Sequence, residues 1–227
     1  MIYLDNASTT KMYDDVRKVM LATGFGNPSS NHAVGFEAQR NLEHAREQVA
    51  KAINAEPDEI IFTSGGSEAN NMAVKVALTL FGDDESCLVS SNTEHDSMLR
   101  AMIHQLPNDK NTLQLLAYMK EKDLINLLRE KMKSPFNPYK NTAFSFMYVN
   151  NELGFINPVE EICKLAKEYG CVSIVDAVQA LGDQEIDVRK IGCDMMTFSS
   201  HKIHGPMGVG ALYINMELEV IASYAEG

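Results

Sequence analysis

The segment Ser199-Ser200-His201-Lys202-Ile203-His204-Gly205-Pro206 places a lysine among hydroxyls and imidazoles. It follows directly on the apolar run Met195 to Phe198, so its amine leaves a strand end. A lysine becomes a useful nucleophile when its pKa is lowered or when it already forms an imine. Gly205, Gly208 and Gly210 let the backbone turn back into the run Ala211 to Ile214. Taken alone, the segment also reads as an ordinary loop lysine. A second stretch, Thr63-Ser64-Gly65-Gly66-Ser67-Glu68-Ala69-Asn70-Asn71, ends a strand, turns on two glycines and opens a helix. Free N–H groups and the helix dipole make such a junction an anion site, and Ser67 can add a hydroxyl. The Lys-Ser/Thr of a P-loop and the wider glycine spacing of a dinucleotide fold are absent, so a small terminal phosphate fits better than a triphosphate. A plain Gly-Gly turn is the competing reading.

Three more polar clusters follow apolar runs. Asp176 ends Ser173-Ile174-Val175, where a carboxylate is costly unless paired. A protonated pyridine nitrogen is one partner and a metal ion another. No second acid–histidine cluster stands at ligand spacing, and His32, His95, His201 and His204 are dispersed. Thr93-Glu94-His95 offers an imidazole able to stack on a flat ring or move protons, or simply a solvated histidine. Asn151, in Tyr148-Val149-Asn150-Asn151-Glu152-Leu153-Gly154, could donate to a ring oxygen. Five polar clusters at five strand ends, with anion loop, acid and lysine among them, describe a pocket for a phosphorylated aromatic cofactor.

The elements that must position them alternate. Ile60 to Thr63, Cys87 to Ser90, Ala143 to Val149, Val172 to Val175, Met195 to Phe198 and Gly210 to Ile214 read as strands covered on both faces. A helix from Phe36 carries the stripe Phe36, Leu42, Ala45, Val49, Ala52 and Ile53. Another begins with Asn157 as cap, Pro158 in the first turn and Glu160 at the third position, and ends at Gly170. Leu124, Leu127 and Leu128 mark a third, in a stretch of mixed charge, and Ser134 to Pro138 reads as a loop. This alternation predicts an α/β three-layer sandwich with a mostly parallel sheet. Right-handed crossovers then gather strand C-termini on one edge, where ligands bind.

Composition narrows the classes. The chain has 227 residues, 45% of them hydrophobic, and a formal charge of -11. Such a surface repels nucleic acid and anionic membranes. No stretch has the apolar length to span a bilayer, and the start Met-Ile-Tyr-Leu-Asp has no signal-peptide character, so a cytoplasmic location is expected. Cys87, Cys163, Cys171 and Cys193 form no CxxC pair and read as buried thiols; no metal site is expected.

The motifs together resemble the class V aminotransferase superfamily, specifically cysteine desulfurases of the NifS/IscS type. The matching pieces are Tyr3 to Thr10, Gly26-Asn27-Pro28-Ser29-Ser30, Thr63 to Asn71, Thr93 to His95, Val149 to Gly154, Val175 to Gln179 and Ser199 to Pro206, in order and at matching intervals. The resemblance implies the large domain of an aspartate-aminotransferase-like fold, with residues 1–25 as an N-terminal arm and first helix and the small C-terminal domain missing. It implies pyridoxal 5'-phosphate (PLP) as cofactor. Lys202 resembles the lysine that binds it covalently, Asp176 the partner of its pyridinium nitrogen, and His95 the histidine stacked on its ring, which also shuttles protons. Gln179 resembles the donor to the phenolic oxygen, and Asn151 the residue near that oxygen and the substrate amine. Gly66, Ser67, Ser199 and His201 resemble the phosphate contacts. Asn6, Ala7 and Ser8 lie where the family lines its substrate entrance.

The implied reaction removes sulfur from L-cysteine, leaving L-alanine and an enzyme-bound persulfide for iron–sulfur cluster assembly or other sulfur transfer. The family's enzymes are homodimers, and a sulfur-acceptor protein is an implied partner. In the family's order the catalytic cysteine, the carboxylate-gripping arginine and the small domain come after Gly227. None of the four cysteines here matches that nucleophile, so a separate C-terminal half is an expected partner. A selenocysteine lyase, another relative in the superfamily, and a PLP-binding module without turnover are the rival readings.

Overall fold

The computed structural model describes residues 2–82, 86–106, 112–133 and 141–218. The expected loop at Ser134 to Pro138 and the last residues, Glu226 and Gly227, lie outside them. Seven strands form one sheet: β1 (Ile60–Thr63), β2 (Ser86–Ser91), β3 (Thr112–Leu116), β4 (Asn141–Met147), β5 (Val172–Asp176), β6 (Met195–Ser199) and β7 (Gly210–Ile214). Their order is β1-β7-β6-β5-β4-β2-β3. Only β7 runs against the rest; it is antiparallel to both β1 and β6, while the other neighbours pair in parallel. The helices are α1 (Asp14–Ala22), α2 (Ala33–Ala52), α3 (Gly66–Phe81), α4 (Asp96–Gln105), α5 (Glu121–Lys133), α6 (Val159–Glu168) and the single turn α7 (Val188–Ile191).

Alternate residues of each strand serve opposite layers. Leu88, Ala143, Ile174, Met195 and Leu212 pack with Ala73, Val74 and Ala77 of α3 and with Met98 and Met102 of α4. Their neighbours along the strands face the other way. Phe144 and Phe146 meet Leu128 of α5 and Ile162 and Leu165 of α6. Val175, Met196, Phe198 and Tyr213 meet Ile53, Val159, Val188 and Ile191. The small residues of α3 let it lie close to the sheet. The result is the expected three-layer sandwich, and strands buried on both faces explain why their sequences lack a polar–apolar alternation.

Several details differ from expectation. β3 was not foreseen: its residues Thr112 to Leu115 are half-buried or exposed at the sheet edge, so it lacks the apolar run of a central strand. β4 ends at Met147, and Val149 instead forms an isolated bridge with Ile156. The stripe drawn along α2 does not face inward as a whole. Phe36 is 47% exposed and Ala52 is exposed, whereas Ala50 and the following Ile53 are buried. Only the C-terminal end of this 20-residue helix reaches the core, so only there does periodicity report burial. Asn157 does not cap α6. Its Nδ2 donates instead to the Met147 carbonyl at 2.7 Å, and Pro158 occupies the cap position. Gly170 leaves the helix with φ 67°, as a terminating glycine should.

No helix of the described residues is long and apolar enough to cross a membrane.

Candidate functional site

Because β1, β2, β4, β5 and β6 run in parallel, their C-terminal ends form one edge of the sheet. All five polar clusters read from the sequence stand along it. A cavity of about 210 Å3 opens there, lined by Ser8, Gly66, Ser67, His95, Asn151, Asp176, Gln179, Ser199, His201 and Lys202, among others. Asn6 and Ala7 line an adjoining cleft of about 740 Å3, which shares Asn151, Gln179 and Lys202 with the cavity. Every residue singled out for the site therefore falls on one of two connected spaces.

One end of the cavity is built by backbone. Gly65 precedes α3 with φ 152°, a conformation that L side chains rarely adopt. Among the described residues no side chain caps α3, so its leading N–H groups are open to a ligand at the cavity wall formed by Gly66 and Ser67. A Cβ at Gly66 would come within 2.8 Å of Val178 Cγ2, so the β5 end and the start of α3 meet as closely as a bare backbone permits. Ser199 is buried beside this junction and His201 closes it.

The other end carries the charges. Asp176 is 3% exposed. Its carboxylate accepts from Asn70 Nδ2 at 2.9 Å and from the Val178 N–H at 3.0 Å. Burial nevertheless pushes its pKa above the ordinary carboxylate value, against the pull of those hydrogen bonds and of His95 and Lys202. Burial likewise lowers the pKa of Lys202, opposed by Asp176 and Asp5. The lysine amine donates to the carbonyls of Ala7 and Ser8 on the N-terminal arm, the latter at 2.8 Å. Gln179 Nε2 also donates to Ala7, at 2.7 Å. Thr10 fixes the arm by bonding the His201 carbonyl through its N–H, at 2.9 Å, and its hydroxyl, at 2.8 Å. Desolvation lowers the pKa of His201, and its Nδ1 lies 3.1 Å from the Thr9 hydroxyl.

The two asparagines after β4 divide their work. Asn150 is buried: it donates to the Thr93 carbonyl at 2.8 Å and accepts the N–H groups of Glu152 and Leu153. It shapes the turn that leaves Asn151 on the cavity. Sequence reading passed over Asn70, Ser97 and Met147, which also line the cavity. Asn70 had a usable signal: it lies four residues after Gly66, hence on the same face of α3.

Among the described residues no three His, Cys, Asp or Glu side chains gather to hold a metal, so the metal alternative for Asp176 has no companion ligands. The residues do fit a phosphorylated pyridine aldehyde. The uncapped helix start with Ser67 suits a phosphate, the buried Asp176 suits a protonated ring nitrogen, and Lys202 suits a carbonyl carbon.

Comparison with known proteins agrees. The profile of the family "Aminotransferase class-V" matches residues 2–225. The cysteine desulfurase IscS of Dictyoglomus turgidum is 39% identical over 225 residues, which cover 94% of this chain and 54% of that protein. Among solved structures, a NifS-like protein superposes with a TM-score of 0.83 at 32% identity, covering 95% of this chain and 59% of its own. SspA in complex with cysteine gives a TM-score of 0.82 at 30% identity, with 96% of this chain and 63% of that chain covered. The chain spans about half the length of the curated relatives it matches. It belongs to the class-V aminotransferase family of PLP-dependent enzymes, with IscS- and NifS-type cysteine desulfurases among its relatives.

Proposed function

We propose that this chain is the cofactor-holding portion of a cysteine desulfurase, which takes sulfur from L-cysteine and leaves L-alanine and a persulfide. The observation that carries the reading is the convergence of the Lys202 amine, the buried Asp176 carboxylate and the uncapped start of α3 on one cavity. The names of the relatives, and the cysteine complex of the similar SspA, support L-cysteine as substrate.

When bound, PLP supplies an electron sink for bonds at the substrate α-carbon. Lys202 would be its covalent tether and would carry protons at Nζ. Its depressed pKa favours the free amine that both tasks need. Asp176 holds the proton on the ring nitrogen. Gly66, Ser67, Ser199 and His201 hold the phosphate, by N–H groups, helix dipole and side chains. His95 is assigned the ring face and proton transfer. Gln179 is assigned the phenolic oxygen, and Asn151 that oxygen and the substrate amine. Asn6, Ala7 and Ser8 line the substrate's approach.

The sulfur leaves to a thiol other than the four in this chain. All are buried. Burial pushes Cys87 up to about 11, both Cys163 and Cys171 up to about 12, and Cys193 well above the ordinary thiol value, so none offers a ready thiolate. We therefore expect the acceptor cysteine on a further polypeptide segment, a homodimer as the complete assembly, and a protein that receives the persulfide sulfur for iron–sulfur cluster assembly. Four unpaired thiols suit a reducing, cytoplasmic setting. The same burial favours the second reading, a PLP-binding module that does not turn over alone.

The test is direct. The purified chain incubated with PLP should acquire a visible absorption band, and Lys202→Ala should abolish it. A chain that stays colourless overturns the proposal. With L-cysteine, alanine and a protein-bound persulfide, released as sulfide on adding a dithiol reductant, should form only when the C-terminal polypeptide of an IscS-type relative is added; persulfide on this chain alone would show that one of its own thiols serves.

A further inference from the structure

Along the cavity wall one run of hydrogen bonds has a single direction. Thr197 Oγ1 donates to Asn70 Oδ1 at 2.7 Å. The Asn70 amide nitrogen gives one hydrogen to Asp176 Oδ2 at 2.9 Å and the other to Ser97 Oγ at 3.0 Å. The reversed amide would turn its oxygen onto the carboxylate, so the orientation is fixed by its partners. Ser97 then meets His95 twice, its N–H donating to Nδ1 at 3.1 Å and its hydroxyl lying 2.7 Å from the same atom.

A ring nitrogen that accepts a backbone N–H carries no proton, so the neutral His95 ring holds its proton on Nε2. The Ser97 hydroxyl, which accepts from Asn70, is left to donate to Nδ1. Asn70 is 1% and Thr197 0% exposed, so water cannot stand in for these partners. His95 also caps α4 through this nitrogen, which ties the tautomer to the helix.

We propose that Asn70 is a positioning residue that couples the two sides of the cofactor site. Its one amide group presents the Asp176 carboxylate and, through Ser97, holds the His95 proton on Nε2. His95 thus offers the cavity an N–H, and it can take a proton at Nδ1 only by giving up the Ser97 N–H and reversing the Ser97 hydroxyl from donor to acceptor. The role of the carboxylate rests on the PLP reading above; the tautomer does not.

Long-range proton–nitrogen NMR on the 15N-labelled chain, without cofactor, reads the tautomer. Unmodified protein and Ser97→Thr should show an unprotonated Nδ1 and a protonated Nε2. In Asn70→Asp the new carboxylate accepts a hydrogen bond from the Ser97 hydroxyl, so the Ser97 oxygen faces His95 as an acceptor and the Nδ1–H population rises about tenfold, the worth of one hydrogen bond. Ser97→Ala, which leaves the buried amide intact, should also raise the Nδ1–H population and keeps the test alive if Asn70→Asp does not fold. A protonated Nδ1 in the unmodified chain, or an unchanged ring in both Asn70→Asp and Ser97→Ala, overturns the proposal. Equilibrium dialysis supplies the second reading: Asn70→Ala should retain PLP about tenfold less well, and equal retention overturns the link to Asp176. A chain that takes up no PLP yet shows these tautomers upholds the Asn70–Ser97–His95 relay and removes the cofactor reading instead.

Discussion

The Lys202 amine lies 2.8 Å from the carbonyl oxygen of Ser8, and the Ala7 carbonyl accepts from the same amine. The amine proposed as nucleophile is thus held by the N-terminal arm, which is pinned in turn by Thr10 on the His201 carbonyl. Carbonyls hydrogen-bond the ammonium form and must be left behind before the amine can attack. Deleting residues 2–8 should therefore speed covalent capture of PLP about tenfold, the worth of one charged hydrogen bond. Stopped-flow growth of the visible band measures it. An unchanged rate would mean that the arm leaves the amine faster than PLP arrives.

Asp5 acts on the same amine through charge. Burial depresses the Lys202 pKa below 10.5, and the carboxylates of Asp176 and Asp5 partly restore it. Attack needs the neutral amine, so the capture rate should climb with pH and level off below the ordinary lysine value. Asp5→Asn removes a negative neighbour, which further disfavours the ammonium, so the midpoint should move to lower pH. A midpoint that moves up would reverse the assignment.

Gly66 and Val178 are spaced for a bare backbone. Gly66→Ala sets a Cβ 2.8 Å from Val178 Cγ2, and a β-branched neighbour has little room to yield. We expect a loss of roughly 1–3 kcal/mol in chain stability, as for other overpacked contacts, together with weaker PLP retention. Val178→Ala should rescue the stability of the double variant. A double-mutant cycle from urea unfolding gives the coupling, and additive losses would place the strain elsewhere.

These pairs also show what a sequence can reveal. The strand ends were legible because central strands are buried on both faces and polar residues begin abruptly where they stop. Asp176, Lys202 and the Gly65-Gly66 turn all announce themselves in that way. β3 was hidden because an edge strand needs no apolar run, and the α2 stripe misled because most of that helix lies off the core. Asn70 was read only as part of a motif, since an asparagine inside a helix shows no partner until Asp176, Ser97 and Thr197 are folded around it. Asn157 looked like a cap by position, but the buried Met147 carbonyl needed its amide more.

Glu94 sits one residue before His95 and is 6% exposed. Ser91 Oγ donates to its Oε1 at 2.7 Å, while Oε2 meets no hydrogen-bond partner of good geometry among the described residues. Burial first, and the nearby Asp176 charge in addition, raise its pKa from 4.5 to about 8. Between those values the unfolded chain has released a proton that the folded chain keeps. The folded state binds more protons, so stability is highest at low pH and falls as pH climbs from 4.5 to about 8. Glu94→Gln cannot ionise and should lose this slope. Near pH 5 the two proteins should unfold at similar urea concentrations, and at pH 8 the variant should be more stable by on the order of 3 kcal/mol. Parallel unfolding curves across that range would mean that Glu94 ionises freely in the folded chain, and that its buried carboxyl finds a countercharge on folding.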